Sequence, residues 1–144
     1  MKVTLNFLEK IHFTATARHF KDIHVDEPKS FHGTDLGPSS IEYILIGIGG
    51  CLGSSFVYCL NRNNVDIENL EIIVDGTLKH IDREKHLRLI DIKVNLYFTT
   101  RNNESSEKID LCIKKFKEHC VVTNSIMDGI PVQVKVQQNK EKKN

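Results

Sequence analysis

"GPSSIEYILIGIGGCLGSSFVYCL", Gly37–Leu60, is the stretch on which the fold turns. Ser39 followed three residues later by Glu42 is a capping-box pattern, with Pro38 just before it, so a helix is expected to begin here. It should end near 61–64, where Arg62 suits the negative pole of a helix dipole. From Ile44 to Leu60 there is no charged residue, yet the segment holds four glycines and two cysteines. Three readings compete: a membrane span, a buried core helix, or a helix built around a reactive thiol. A span needs about 20 apolar residues; this run falls slightly short, and Ser54 and Ser55 interrupt it. Each glycine costs about 1 kcal/mol of helix propensity relative to alanine. Gly47, Gly49, Gly50 and Gly53 therefore mark a place where a neighbouring helix, a second copy of this helix or a ligand approaches closely beside Cys51.

The flanks favour a soluble core. Residues 2–9 alternate, with Val3, Leu5 and Phe7 on one face, and 12–18 (HFTATAR) and 20–26 (FKDIHVD) alternate as well, so the chain should open as an antiparallel meander. Residues 27–37, with Pro28, Gly33 and Gly37, read as a loop. After the helix, 67–79 and 87–99 read as two strands joined by the polar turn 80–85 into a long hairpin. Residues 105–119 form an amphipathic helix, with Ile109, Cys112, Ile113 and Phe116 on one side and lysines on the other. A short turn or helix at 123–128 and a final strand at 131–137 (PVQVKVQ) complete a β-β-β-α-β-β-α-β order. The fold class is α+β: a single domain spanning 1–138, with a solvated basic tail at 139–144. Half-buried strands on both sides of the apolar helix need something to cover, and a helix that is apolar all round can fill the space between two sheets.

Composition bounds the function. The chain has 144 residues, 40% hydrophobic and 27% charged, with a net charge of +1. No basic field is available for nucleic acid or an anionic membrane. The opening MKVTLNFLEK lacks the apolar core of a signal peptide, so the expected compartment is a reducing cytoplasm and all four cysteines are expected as thiols. Cys51, Cys59, Cys112 and Cys120 form no CxxC pair, and Cys112, His119 and Cys120 lack a zinc-binding spacing, so neither a metal nor a cofactor is expected. Cys59 and Cys112 read as small buried hydrophobes. From the residues alone, Cys51 reads that way too.

Two segments together change that reading. GPSSIEYILIGIGGC resembles the start of the central helix in the OsmC/Ohr family, the osmotically induced and organic-hydroperoxide-resistance proteins. HCVVTNSI, 119–126, resembles the family's second signature, a cysteine followed by P-V-S-N-like residues. The resemblance covers nearly the whole chain. It implies an intertwined homodimer whose sheets wrap two central helices, with active sites at the subunit interface. It also implies thiol-dependent reduction of organic hydroperoxides, and of hydrogen peroxide as a further substrate. Cys51 would attack the peroxide as a thiolate and become a sulfenic acid, and Cys120 would resolve that acid to a disulfide. An external dithiol, in the Ohr branch a lipoyl group, would then reduce the bond, so a lipoylated protein is an implied partner. The family's arginine corresponds best to Arg18. In the Ohr branch a glutamate ten residues before the cysteine holds that arginine; here that position is Ile41. Glu42 stands nine before, on the opposite side of an ideal helix from Cys51, where a catalytic role competes with capping. Val121 replaces the family's usual proline. A different class of function also fits: a dimer of the same fold that binds an apolar or thiol-containing small molecule without turnover.

Overall fold

The computed structural model describes residues 1–82, 86–101 and 106–138. At its centre lies α1, Ser40–Arg62. The Ser39 hydroxyl accepts from the Glu42 N–H at 3.3 Å, and the Glu42 carboxylate accepts from the Ser39 N–H at 2.6 Å. The expected capping box therefore satisfies two of the backbone donors that every helix start leaves open. The helix stops at Asn63, whose side-chain amide donates to the Cys59 carbonyl at 2.8 Å.

Before α1, β1 (Val3–Glu9), β2 (His12–Ala17) and β3 (Phe20–Val25) form an antiparallel meander. After it, β4 (Ile67–His80) and β5 (Leu87–Thr100) pair in one long antiparallel ribbon. Alternation decides which face of the ribbon meets α1. Leu70, Ile72 and Val74 of β4 oppose Phe98, Leu96 and Val94 of β5 and are half-buried, while the residues between them face out. Residues 83–85 of the predicted hairpin turn lie outside the described residues.

α1 presents Ile48, Leu52, Phe56 and Leu60 to this ribbon and to the C-terminal helices. Two of its four glycines have a defined use. A Cβ on Gly49 would come within 2.9 Å of Val74 Cγ2, and one on Gly53 would collide with Ile72 Cδ1, so both glycines let β4 cross close to the helix. Gly47 and Gly50 meet nothing within 4 Å. With Ile44, Ile46 and Tyr58 they form an uncovered stripe along α1. By length and composition α1 could cross a membrane, but its buried face is occupied by protein.

The predicted second helix appears as α2, Ser106–Lys115, followed by a 3-10 turn at Phe116–His119 and by α3, Val121–Asp128. Phe116 packs edge-to-face on Phe56, with ring centroids 5.2 Å apart, and Phe98 also meets Phe56 edge-to-face, at 5.0 Å. These contacts fix the turn that leads to Cys120.

Two expectations about the chain ends need correction. The segment 131–137 forms no strand, and Val132, Val134 and Val136 are exposed. A strand needs an edge to pair with, and within one chain no edge reaches this segment. The apolar residues of the meander, Val3, Leu5 and Phe7, are likewise exposed rather than folded over α1. The meander is tied to α1 by the Asp26 N–H donating to the Pro38 carbonyl at 3.2 Å and the Tyr43 hydroxyl donating to the His24 carbonyl at 2.7 Å. The tail 139–144 lies outside the described residues.

Candidate functional site

Cys51 and Cys120, far apart in the chain, come together. Cys51 sits in the middle of α1, at the border between its buried face and its open stripe, and is half-buried. Cys120 follows the 3-10 turn and is fully buried. Both are free thiols, and Cys51 lies near enough to Cys120 to help lower its pKa.

Cys120 is also the N-cap of α3. Its sulfur accepts from the Thr123 N–H at 3.4 Å and lies 3.0 Å from the Thr123 hydroxyl. Burial pushes the Cys120 thiol up. The Thr123 hydroxyl, the Thr123 N–H, the Cys51 thiol and the Val122 N–H together outweigh it, and the thiol ends below its ordinary value. A helix N-terminus favours a thiolate for the same reason that it favours any anion. Thr123 was not singled out in the sequence, although a cap residue followed three positions later by a hydroxyl is a legible pattern.

An apolar groove of about 600 Å³ is lined among others by Ile44, Ile48, Leu52, Ile92, Thr123 and Met127, with neither cysteine in its lining. Ile44, Ile48 and Leu52 project within about 100° of Cys51 on the helix, and Thr123 touches Cys120. A larger groove of about 980 Å³ runs along α1 past Glu42, Gly49 and Gly50 to Ile72 and Val74.

The other two predicted residues stand apart from the thiols. Arg18 occupies the β2–β3 turn in a left-handed conformation, φ 57°, with its guanidinium 5.3 Å from the Phe20 ring centroid. Glu42 is occupied as the cap of α1. The Ser39 N–H and then the Ser39 hydroxyl hold its carboxyl below the ordinary value.

The expectation of four separate thiols is overturned. Cys59 and Cys112 form a disulfide with a Cα–Cα distance of 5.6 Å, inside the usual span of about 4.4–6.8 Å. The reason is packing. α2 runs back along α1, so the later cysteine of α1 meets the earlier cysteine of α2, just as Cys51 meets Cys120.

A buried polar cluster in the meander also escaped the sequence reading. Asp26, 1% exposed, accepts from the N–H groups of Glu27, Thr34 and Leu36 and from the Thr34 hydroxyl. Burial opposes its charge, but these donors prevail and hold its carboxyl far below the usual range. The Thr34 hydroxyl also lies 3.4 Å from His12 Nδ1, and His12 Nε2 lies 2.8 Å from His24 Nδ1, so the cluster runs on from the carboxylate into two paired imidazoles. A Cβ on Gly33 would collide with the Glu27 carbonyl, so glycine is required where this loop folds over the carboxylate.

Comparison with known proteins adds the family. The model of the OsmC-like protein family matches residues 33–135. An OsmC-like protein from Mycoplasma pneumoniae superposes with a TM-score of 0.73 at 20% identity, over 89% of this chain and 87% of that one. The organic hydroperoxide resistance protein OsmC of Legionella pneumophila gives 0.60 at 16%, over 87% of each chain. The organic hydroperoxide resistance protein OhrB of Bacillus subtilis gives 0.56 at 18%, over 86% and 88%. A stretch of 55 residues is 44% identical to the phosphate import ATP-binding protein PstB 2 of Lactobacillus acidophilus, but it covers 36% of this chain and 22% of that protein. The present sequence contains no Gly-Lys step from which a phosphate-binding P-loop could be built. The match to the family model and the order of strands and helices agree: the chain belongs to the OsmC-like protein family.

Proposed function

We propose that the protein is a thiol-dependent peroxidase of organic hydroperoxides, working through Cys51 and Cys120 in a reducing cytoplasm. The observation that carries this reading is the contact between two free thiols, one of them acidified by a helix N-terminus, beside an apolar groove. In this reading the Cys120 thiolate takes the proton of Cys51 and leaves a Cys51 thiolate. That thiolate attacks the distal peroxide oxygen and the O–O bond breaks. Cys51 becomes a sulfenic acid, and the alkoxide leaves and takes up a proton to give the alcohol. Cys120, ionised again, attacks the Cys51 sulfur; the S–S bond forms and hydroxide departs as water. A dithiol reductant, lipoyl among the candidates, then attacks the half-exposed Cys51 sulfur, and the acidified Cys120 is the better leaving group.

A second copy of the chain completes this reading. The stripe of α1 around Gly47 and Gly50, the apolar residues of β1 and the valines at 132, 134 and 136 are uncovered in one chain. A homodimer would bury all three, give 131–137 an edge to pair with, and carry the Arg18 of one copy towards the Cys51 of the other. Glu42, at the mouth of the larger groove, would steer that arginine.

The test is a thiol count. Fully reduced protein receives one equivalent of cumene hydroperoxide or of hydrogen peroxide, in wild type, Cys51→Ser and Cys120→Ser. Wild type should lose the Cys51 and Cys120 thiols together, Cys51→Ser should lose neither, and Cys120→Ser should accumulate a sulfenic acid at Cys51. The organic peroxide should react faster. Slow loss, indifferent to which cysteine is replaced, would refute the peroxidase and leave a ligand-binding dimer.

A further inference from the structure

Nothing in the proposed reaction uses Cys59 and Cys112, yet they tie α2 to α1 two turns further along α1, beside the place where Cys120, at the start of α3, approaches Cys51. We propose that they form a second, reversible thiol–disulfide couple, a clamp whose closure holds Cys120 against Cys51. The proposal rests on the pairing of Cys51 with Cys120 but not on any reaction with peroxide.

The surroundings give the clamp a direction. Cys59 is half-buried, whereas Cys112 is fully buried, so an incoming thiolate meets the Cys59 sulfur first. The Asn63 amide donates to the Cys59 carbonyl at 2.8 Å and also lies 3.4 Å from the Cys112 sulfur and 3.7 Å from the Cys59 sulfur. When a dithiol attacks Cys59, the S–S bond breaks and Cys112 leaves as a thiolate with the Asn63 N–H already directed at it. The second thiol of the reductant then attacks its own bound sulfur. Cys59 departs and takes a proton, and the reductant becomes a disulfide. Oxidation runs in reverse, with a small disulfide accepting the two electrons.

The coupling follows from the order of the four cysteines. Closing the 53-residue separation between Cys59 and Cys112 leaves only two short arms, 51–59 and 112–120, between the outer thiols. A three-halves-power dependence of ring closure on loop length gives the outer pair an advantage of about ninefold when the C-terminal helices detach and rebind. By reciprocity, closing the outer pair favours the clamp by the same factor.

The experiment uses the full chain in graded mixtures of reduced and oxidised dithiothreitol, with alkylation and mass spectrometry to count each thiol. In Cys51→Ser/Cys120→Ser, Cys59 and Cys112 should lose and regain their thiols as one intramolecular pair. A bond that no concentration of reductant opens, or thiols that remain free in oxidised dithiothreitol, would overturn the clamp. The Cys51–Cys120 equilibrium is then compared between wild type and both Cys59→Ala and Cys112→Ala, either of which suffices if the other misfolds. Closure of the outer pair should weaken five- to tenfold; a change under twofold would overturn the coupling. Asn63→Ala should slow opening of the clamp, and an unchanged rate would remove Asn63 from it. A peroxide-inert Cys51 would refute the peroxidase while leaving every arm of this experiment readable.

Discussion

Replacing Thr123 by valine keeps the shape of the side chain and removes one hydroxyl. That hydroxyl lies 3.0 Å from the Cys120 sulfur, while the backbone N–H of the same residue, at 3.4 Å, survives the change. A hydrogen bond to a charged partner contributes about 1.5–3 kcal/mol, and one pKa unit corresponds to about 1.4 kcal/mol. The Cys120 midpoint should therefore rise, and its thiolate fraction at neutral pH should fall by about tenfold. The assay is the ultraviolet absorbance of the thiolate during a pH titration in a Cys51→Ala background. With the Cys59–Cys112 bond closed, Cys120 is then the one thiol left to titrate. Thr123→Ser should restore the lower midpoint. Stability should follow with a definite sign. A depressed folded value means that the contribution is fully present above the unfolded thiol's value of about 8.5 and is lost as pH falls through the folded midpoint. If Thr123→Val moves the midpoint by less than about 0.3 unit, on a scale where one unit is about 1.4 kcal/mol, the capping hydroxyl does not set the acidity of Cys120.

Phe56→Ala empties a site that is 2% exposed between Phe98 and Phe116 and should cost about 3–5 kcal/mol in urea unfolding. Because Phe116 leads into Cys120, disulfide formation with Cys51 should slow as well. Gly50→Ala meets no atom within 4 Å in one chain, so an isolated chain should gain about 0.4–1 kcal/mol. In the homodimer proposed above, loss of dimer on sedimentation would place Gly50 in the interface, unchanged affinity would exclude it, and a wild type that sediments as a monomer would refute the dimer itself. Ser39→Ala should lose about 1 kcal/mol of helix capping. The carboxyl of Glu42, the other arm of the box, has a depressed value set first by the Ser39 N–H, so its contribution is fully present above the unfolded carboxyl's value of about 4.3 and is lost as pH falls through the folded midpoint. Acid unfolding curves of wild type and Glu42→Ala should therefore converge at low pH, and parallel curves would refute the assignment.

Local patterns carried most of the fold. Ser39 and Glu42 specify a helix start with their own side chains. The alternation in 67–79 and 87–99 specifies which face of the ribbon is buried, and the spacing of Ile109, Cys112 and Phe116 specifies a helix face. Each of these rests on interactions within a few residues, so the sequence alone determines them, as it determined the family resemblance through its two cysteine segments. Other features needed residues distant in the chain to meet. The Asp26–Thr34–His12–His24 cluster joins two strands and a loop, and no periodicity announces it. The equal spacing of Cys51 from Cys59 and of Cys112 from Cys120 was visible, but only antiparallel packing of α2 on α1 turns equal spacing into two facing pairs. Gly49 and Gly53 could be told from Gly47 and Gly50 only once β4 lay across one side of the helix and left the other bare. Position 131–137 marks the limit from the other direction. Its alternating valines have the pattern of a strand, but a strand exists only where it pairs with an edge, and 131–137 pairs with none of the edge strands β1, β3, β4 and β5.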